Sequence, residues 1–190
     1  MRIGVLGGSF DPIHTGHAII ANYIAGSGVV DEVWLMVSRR NPLKQSAGAN
    51  ESQRLFMVSE VARNIKNVIV SDFELGMPEP SFTYDTLVAL QKKFPHHSFK
   101  IIIGSDSLAN FDKWRNSDRI IEEFGAIVYP RPGYDISGLE GKNIVTLSGV
   151  PLCEISSTLV RDRIKEGLDI NYFVPLEVAR YIESNNLYTT

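Results

Sequence analysis

The run Gly7-Gly8-Ser9-Phe10-Asp11-Pro12-Ile13-His14-Thr15-Gly16-His17 gathers residues suited to handling phosphate. It follows the apolar stretch from Ile3 to Leu6 and precedes a helix-like run from about Ala18. A strand, a glycine turn and a helix start leave backbone N–H groups facing outward, where an anion binds. Gly7 and Gly8 permit a tight turn and close approach of backbone to phosphate, and Ser9 and Phe10 belong to the same seat. His14 and His17 lie about one turn apart on the same side of the helix start. Imidazoles there donate to phosphate oxygens and carry positive charge when needed. Two other readings stand beside this one. One is a glycine turn followed by helix-capping or partly buried histidines. The other is a metal site using Asp11, His14 and His17. That spacing is not the i, i+4 zinc pair and no further ligand cluster accompanies it, so no protein-bound metal is expected.

A second constellation is Ile155-Ser156-Ser157-Thr158-Leu159-Val160-Arg161. Serine or threonine ahead of an apolar periodic run marks a helix N-cap. The N–H groups at Ser156, Ser157 and Thr158 form another anion seat. Arg161, four residues beyond Ser157, projects from the same face. Taken alone, the segment also reads as a capped surface helix with a solvated arginine. Two anion-binding helix starts in one chain suggest a polyphosphate held between them.

The elements that must position these groups alternate. Arg2–Leu6, Glu32–Val37, Val68–Val70, Lys100–Ile103, Ala126–Tyr129 and Ile144–Leu147 read as strands. Several are continuously apolar, as strands buried on both faces are. Helix patterns cover Gly16–Ala25, Glu51–Ile65, Thr83–Phe94, Asp118–Glu123, a run after Thr158 to about Glu166, and Pro175–Ser184. The expected fold is α/β: a Rossmann-like, doubly wound domain with a mostly parallel sheet and a C-terminal helical segment. Ligands then gather at the carboxyl ends of the strands. Ser38–Asn50, with Arg39, Arg40 and Lys44, and the segment from Pro130 through Gly141 read as loops near such a site. No linker, repeat or low-complexity stretch appears, so residues 1–190 are expected to form one domain.

Bulk composition narrows the function classes. With 190 residues the chain has room for a proper core, and 44% hydrophobic with 22% charged residues argues against disorder. A net charge of -3, from 19 basic and 22 acidic residues, gives no electrostatic reason to expect nucleic-acid binding. The single cysteine, Cys153, excludes an intrachain disulfide and a multi-cysteine zinc or iron–sulfur site. No signal-peptide pattern and no bilayer-length apolar run is present, so a cytoplasmic enzyme without membrane contact is expected.

The strings GSFDPIHTGH and ISSTLVR resemble the paired signatures of the nucleotidyltransferase superfamily. Within it, the chain is similar to the bacterial nicotinate-nucleotide adenylyltransferases, from Met1 to Tyr188. Ser81-Phe82-Thr83-Tyr84-Asp85-Thr86, Ile103-Gly104-Ser105-Asp106-Ser107, Lys113-Trp114 and Arg131-Pro132-Gly133 also carry the likeness. The resemblance implies transfer of an adenylyl group from ATP to nicotinate mononucleotide, in NAD biosynthesis. It implies that His14, His17, Lys44 and Arg161 work on the ATP phosphates, with Arg131 also on the ATP side. Mg²⁺ would be carried with ATP. Thr83, Trp114 and the backbone at Arg115 would read the pyridine carboxylate, and Asp106 beside Gly104 would hold ribose. The resemblance leaves homo-oligomerisation open.

These middle residues also make physical sense by themselves. Thr83 stands at a helix start, where exposed N–H groups favour a carboxylate over the NH₂ of an amide. Trp114 offers a flat face for an aromatic ring, or is simply core. Asp106, just past an apolar strand and a glycine, accepts from ribose hydroxyls or caps a helix. Two positions depart from the family pattern. Leu43 stands where histidine is common beside Lys44, and Phe82 replaces the more usual tyrosine. His96 and His97 read as surface residues. The rival functions are a related adenylyltransferase acting on nicotinamide mononucleotide or pantetheine phosphate, a cytidylyltransferase, and a non-catalytic nucleotide sensor.

Overall fold

The structure, a computed structural model, describes residues 1–39, 48–134 and 143–189. Six strands, β1 (Arg2–Gly8), β2 (Glu32–Val37), β3 (Val68–Ser71), β4 (Ser98–Gly104), β5 (Ala126–Tyr129) and β6 (Ile144–Thr146), form one sheet. Their order is β3-β2-β1-β4-β5-β6 and every pairing is parallel. The doubly wound α/β fold read from the alternation of patterns is therefore the one observed. Strand order reverses between β1 and β4, which opens a crevice at their carboxyl ends.

Side chains alternate strictly across the sheet. Val33, Leu35, Val37, Ile102 and Ile127 join one core with helices α1 (Thr15–Gly26), α2 (Glu51–Ala62), α6 (Ser157–Lys165) and α7 (Leu176–Ser184). Trp34, Met36, Ile101, Ile103 and Val128 join the opposite core with α3 (Thr83–Lys93) and Ile120. Burial on both faces is why these strands carry unbroken apolar runs. It is also why β2 and β5 match their sequence expectations to the residue.

Short elements differ from expectation. The helix expected over Asp118–Glu123 is a turn of α-helix, α5 (Ser117–Arg119), that widens into a π-turn at Ile120–Phe124. The Gly125 N–H closes it on the Ile120 carbonyl at 2.9 Å, and Gly125 leaves with φ 82°. This wide turn seats the fully buried Ile120 in the core. Helix α4 (Ser105–Leu108) and 3₁₀ turns at Phe73–Gly76 and Phe111–Lys113 are too short to show a period in sequence. His97, expected at the surface, is half-buried. It stacks on Phe94 at 5.8 Å and meets Trp34 and Phe99 edge-on.

No helix among the described residues is long and apolar enough to cross a membrane.

Candidate active site

The glycine turn leaves β1 at the centre of the crevice. A Cβ at Gly8 would stand 3.2 Å from the Phe10 ring, whereas one at Gly7 would meet nothing within 4 Å. Gly8 thus accommodates a neighbour inside the protein, and Gly7 keeps open space over the crevice. Phe10 takes φ 46° and is 2% exposed. Its ring lies below the site, edge-on to His17 at 5.0 Å, so it supports the imidazole and its side chain is not on the open face. Ser9 is exposed on the turn.

His14 caps α1 from extended backbone, and His17 lies in the first turn. The two rings stack at 3.6 Å. The His14 backbone N–H donates to His17 Nδ1 at 3.3 Å. That bond leaves Nε2 of neutral His17 as the protonated, donating nitrogen. Burial, reinforced by the nearby Arg131 charge, lowers the His14 pKa to about 4. Burial, then His14 and Arg131, pushes His17 well below its ordinary range. Both imidazoles are neutral donors at neutral pH. One expected donor is committed elsewhere: the Thr15 N–H goes to the Phe173 carbonyl at 2.9 Å, so the start of α1 offers fewer open N–H groups than the sequence implied.

The start of α6 meets this loop directly. Ser156 caps α6, its Oγ accepting from Leu159 N at 3.1 Å. Ser157 Oγ donates to the Pro12 carbonyl at 2.8 Å. Arg161 Nη1 donates to the Asp11 carbonyl at 2.7 Å, and Nη2 reaches Thr158 Oγ1 at 3.2 Å. The two sequence constellations, from opposite ends of the chain, therefore touch. Ser157 is a clamp between them, with its hydroxyl committed to backbone.

Arg131 follows β5 and completes the same corner. Its backbone N–H donates to Ser105 Oγ at 2.8 Å, and Nη1 donates to the Cys153 carbonyl at 3.0 Å. Its Nε lies 3.9 Å from Asp106 Oδ1. Asp106 sits in the first turn of α4 and not at its cap. His14 Nδ1, Asp106 Oδ1 and Arg131 Nε are shielded from solvent and lack hydrogen-bond partners among the described residues. Three such atoms at one corner form a polar patch whose hydrogen-bonding capacity is not used by the described residues. Gly104 permits it: a Cβ there would fall 2.2 Å from Asp106 Oδ1.

Across β1 and β4 lies a pocket of about 220 Å³. Gly7, Gly8, Ile103, Glu74, Thr83 and Trp114 are among its walls. Thr83 opens α3, as its sequence position suggested, and Trp114 is partly exposed to the pocket while resting on Phe111 at 5.1 Å. Trp114 is thus a wall of the crevice as well as a neighbour of the core. Arg115 stands outside this lining. It is exposed, with its guanidinium 4.7 Å over the Phe82 ring and 3.6 Å from Asp85 Oδ2. Lys44 and Leu43 lie outside the described residues.

Three contributors escaped the sequence reading. Arg54 of α2 is 1% exposed, and Nη1 donates to the carbonyls of Ser9 at 2.6 Å and Ser38 at 2.7 Å, holding the ends of β1 and β2 together. A cation on the same helix stripe as Met57, Val58 and Val61 was the available signal. Tyr188 Oη donates to Asp11 Oδ1 at 2.7 Å, which no local pattern announces. Glu74 lines the pocket from a 3₁₀ turn and accepts from Ser81 Oγ at 3.1 Å. Burial raises its carboxyl, with the Ser81 bond and Arg39 opposing. Among the described residues, no group of three or more His, Cys, Asp or Glu side chains is placed to hold a metal ion.

A parallel sheet whose strand order reverses at the crevice is of the doubly wound class that binds ligands at the carboxyl ends of its strands. The chain belongs to the cytidylyltransferase-like family, whose sequence model matches residues 5–163. Within that class it is 41% identical over 190 residues to a protein of Cytophaga hutchinsonii named probable nicotinate-nucleotide adenylyltransferase, covering 100% of this chain and 99% of that one. A protein of the same name from Flavobacterium johnsoniae is 40% identical over 99% of each chain. The fold matches that of Plasmodium falciparum nicotinic acid mononucleotide adenylyltransferase complexed with NaAD. There the TM-score is 0.82 at 22% identity, over 98% of this chain and 97% of the other.

Proposed function

We propose that this protein is a nicotinate-nucleotide adenylyltransferase, acting through one nucleotidyltransferase domain over residues 1–190. It joins nicotinate mononucleotide to ATP and releases pyrophosphate. The observation that carries the reading is the meeting of two phosphate-type corners beside an aromatic pocket. His14, His17, Arg131 and the start of α6 stand on one side of the crevice, Thr83 and Trp114 on the other.

A phosphate oxygen of the mononucleotide attacks the α-phosphorus of ATP. The new P–O bond forms as the bond from the α-phosphorus to the bridging oxygen breaks, and pyrophosphate leaves with that electron pair. The attacking oxygen is already anionic, so no general base is required. Catalysis comes from alignment and from donors aimed at the developing charge. His17 donates from Nε2 to the α-phosphate, and His14 stands beside it. Arg161, Lys44 and the α6 start at Ser156 and Thr158 hold the β- and γ-phosphates. Gly7 lets the nucleotide backbone approach, and Asp106 accepts from ribose. The α3 start at Thr83 reads the pyridine carboxylate, with Arg115 at the mouth and Trp114 against the ring.

Asp11, in the loop that bears the histidines, already receives Ala49 N–H and Tyr188 Oη. Mg²⁺ would arrive with ATP, held by phosphate oxygens and water, and would supply positive charge to offset the charge developing on pyrophosphate. The expected place of the reaction is the cytoplasm.

The test is pyrophosphate release by the purified protein with nicotinate mononucleotide, nicotinamide mononucleotide or pantetheine phosphate, each with ATP and with CTP. Fastest turnover is expected with nicotinate mononucleotide and ATP. Preference for pantetheine phosphate or CTP overturns the proposal.

A further inference from the structure

Glu74 is the one charged side chain on the wall of the crevice pocket, among the described residues. The rest of that wall is aliphatic carbon, small hydroxyls, glycine backbone and the face of Trp114. A carboxylate and an indole lining one largely apolar pocket suit recognition of an organic cation. The base of an N-ribosylated pyridine is such a cation: its ring nitrogen is quaternary and carries a full positive charge. Its reduced dihydropyridine form has the same outline, the same carboxylate and no ring charge.

We propose that Glu74 is a specificity-determining residue that selects the oxidised, positively charged pyridine ring over its uncharged reduced form. The inference rests on the adenylyltransferase reading and adds a second recognition element to it. The nicotinate ring is zwitterionic. Its carboxylate faces the N–H groups where α3 begins at Thr83, and its ring charge faces Glu74 and Trp114. The two elements read different properties, acid against amide at α3 and oxidation state at Glu74. Ser81 Oγ donates to Glu74 at 3.1 Å and fixes its rotamer before substrate arrives; burial opposes the charge on this carboxyl, and the Ser81 bond and Arg39 favour it. The low-polarity wall keeps water from screening it.

Glu74→Gln separates charge from shape, because glutamine still accepts from Ser81. Calorimetric titration of the full chain with oxidised and with dihydro nicotinate mononucleotide gives two dissociation constants for each protein. The wild type is expected to bind the oxidised form the more tightly. Glu74→Gln is expected to reduce that ratio by about tenfold, with ATP affinity unchanged. Ser81→Ala, which removes the hydrogen bond and leaves the charge, is expected to keep most of the ratio. An equal ratio in wild type and Glu74→Gln overturns the proposal, as does a ratio that falls as far in Ser81→Ala. Because binding is the readout, absence of pyrophosphate release would count against the catalytic reading and not against Glu74.

Discussion

Tyr188 and Asp11 are 177 residues apart in sequence, and Tyr188 Oη donates to Asp11 Oδ1 at 2.7 Å in the interior. The same Asp11 oxygen receives the Ala49 N–H at 3.0 Å, and the Asp11 carbonyl receives Arg161 at 2.7 Å. The Thr15 hydroxyl meets the Tyr172 carbonyl at 2.8 Å. The loop bearing the histidines is therefore held by the chain just ahead of α2, by α6 and by the last residues described. Burial, then the bond to Asp11, raises the Tyr188 phenol well above its usual range, so it stays a donor at every working pH.

Tyr188→Phe keeps the ring and removes that donor. A loss of about 1.5–3 kcal/mol of stability is expected, as for a buried hydrogen bond to a carboxyl oxygen. Denaturant unfolding measures it. Turnover falls too, because the His14 loop loses one of its fixings. Unchanged stability and unchanged turnover would show that the bond does no positioning.

His17→Ala is expected to lower turnover by roughly a hundredfold, the cost of one donor to developing charge. Pyrophosphate release at saturating substrate reads it directly. Near-normal turnover would take the imidazole out of the mechanism.

Trp114→Ala is expected to raise the KM for the mononucleotide more than that for ATP, since only the ring loses its stacking face. Equal effects on both would make Trp114 merely a support for Phe111.

Acid should loosen the fold through the histidine pair. His14 is 4% exposed and its folded pKa lies near 4, below the 6.5 of the unfolded chain. Between those values the unfolded chain binds the proton and the native state does not, so stability rises with pH across this window. Above 6.5 there is no penalty. As pH falls from 6.5 to 4 the loss grows to about 3 kcal/mol. His17 shifts in the same direction. Unfolding curves at pH 7 and pH 4.5 for wild type and His14→Gln test this: the variant should lose less stability on acidification.

Arg54→Met should destabilise by about 3–5 kcal/mol, because it strips a buried cation from the carbonyls that join β1 to β2. Thermal unfolding measures it. A change of a few tenths would mean that the strand ends hold without it.

Much of this protein was legible before folding was considered, because the signals are local. Unbroken apolar runs mark strands covered on both faces, and Glu32–Val37 and Ala126–Tyr129 match residue for residue. Glycines, paired histidines and a serine cap announce anion seats from composition and spacing alone, and Ser156 does cap α6. Turns of one helical repeat carry no period, so α4 was invisible, and the helix read over Asp118–Glu123 gave no sign that it widens into a π-turn at Ile120–Phe124.

The chain's own order of residue types determined the parallel α/β sheet and pointed to two anion seats, at the glycine-histidine run and at the Ser156 cap. Only the tertiary structure decided what each of those groups touches. Spacing put the Ser157 N–H in an anion seat, but only packing showed that its hydroxyl turns to the Pro12 carbonyl. Nothing near Asp11 in sequence pointed to Tyr188, and nothing near Glu74 pointed to Trp114. The physical reason is range: propensity and periodicity act over a few residues, whereas a buried polar group must find its partner wherever in the fold one is brought within about 3 Å.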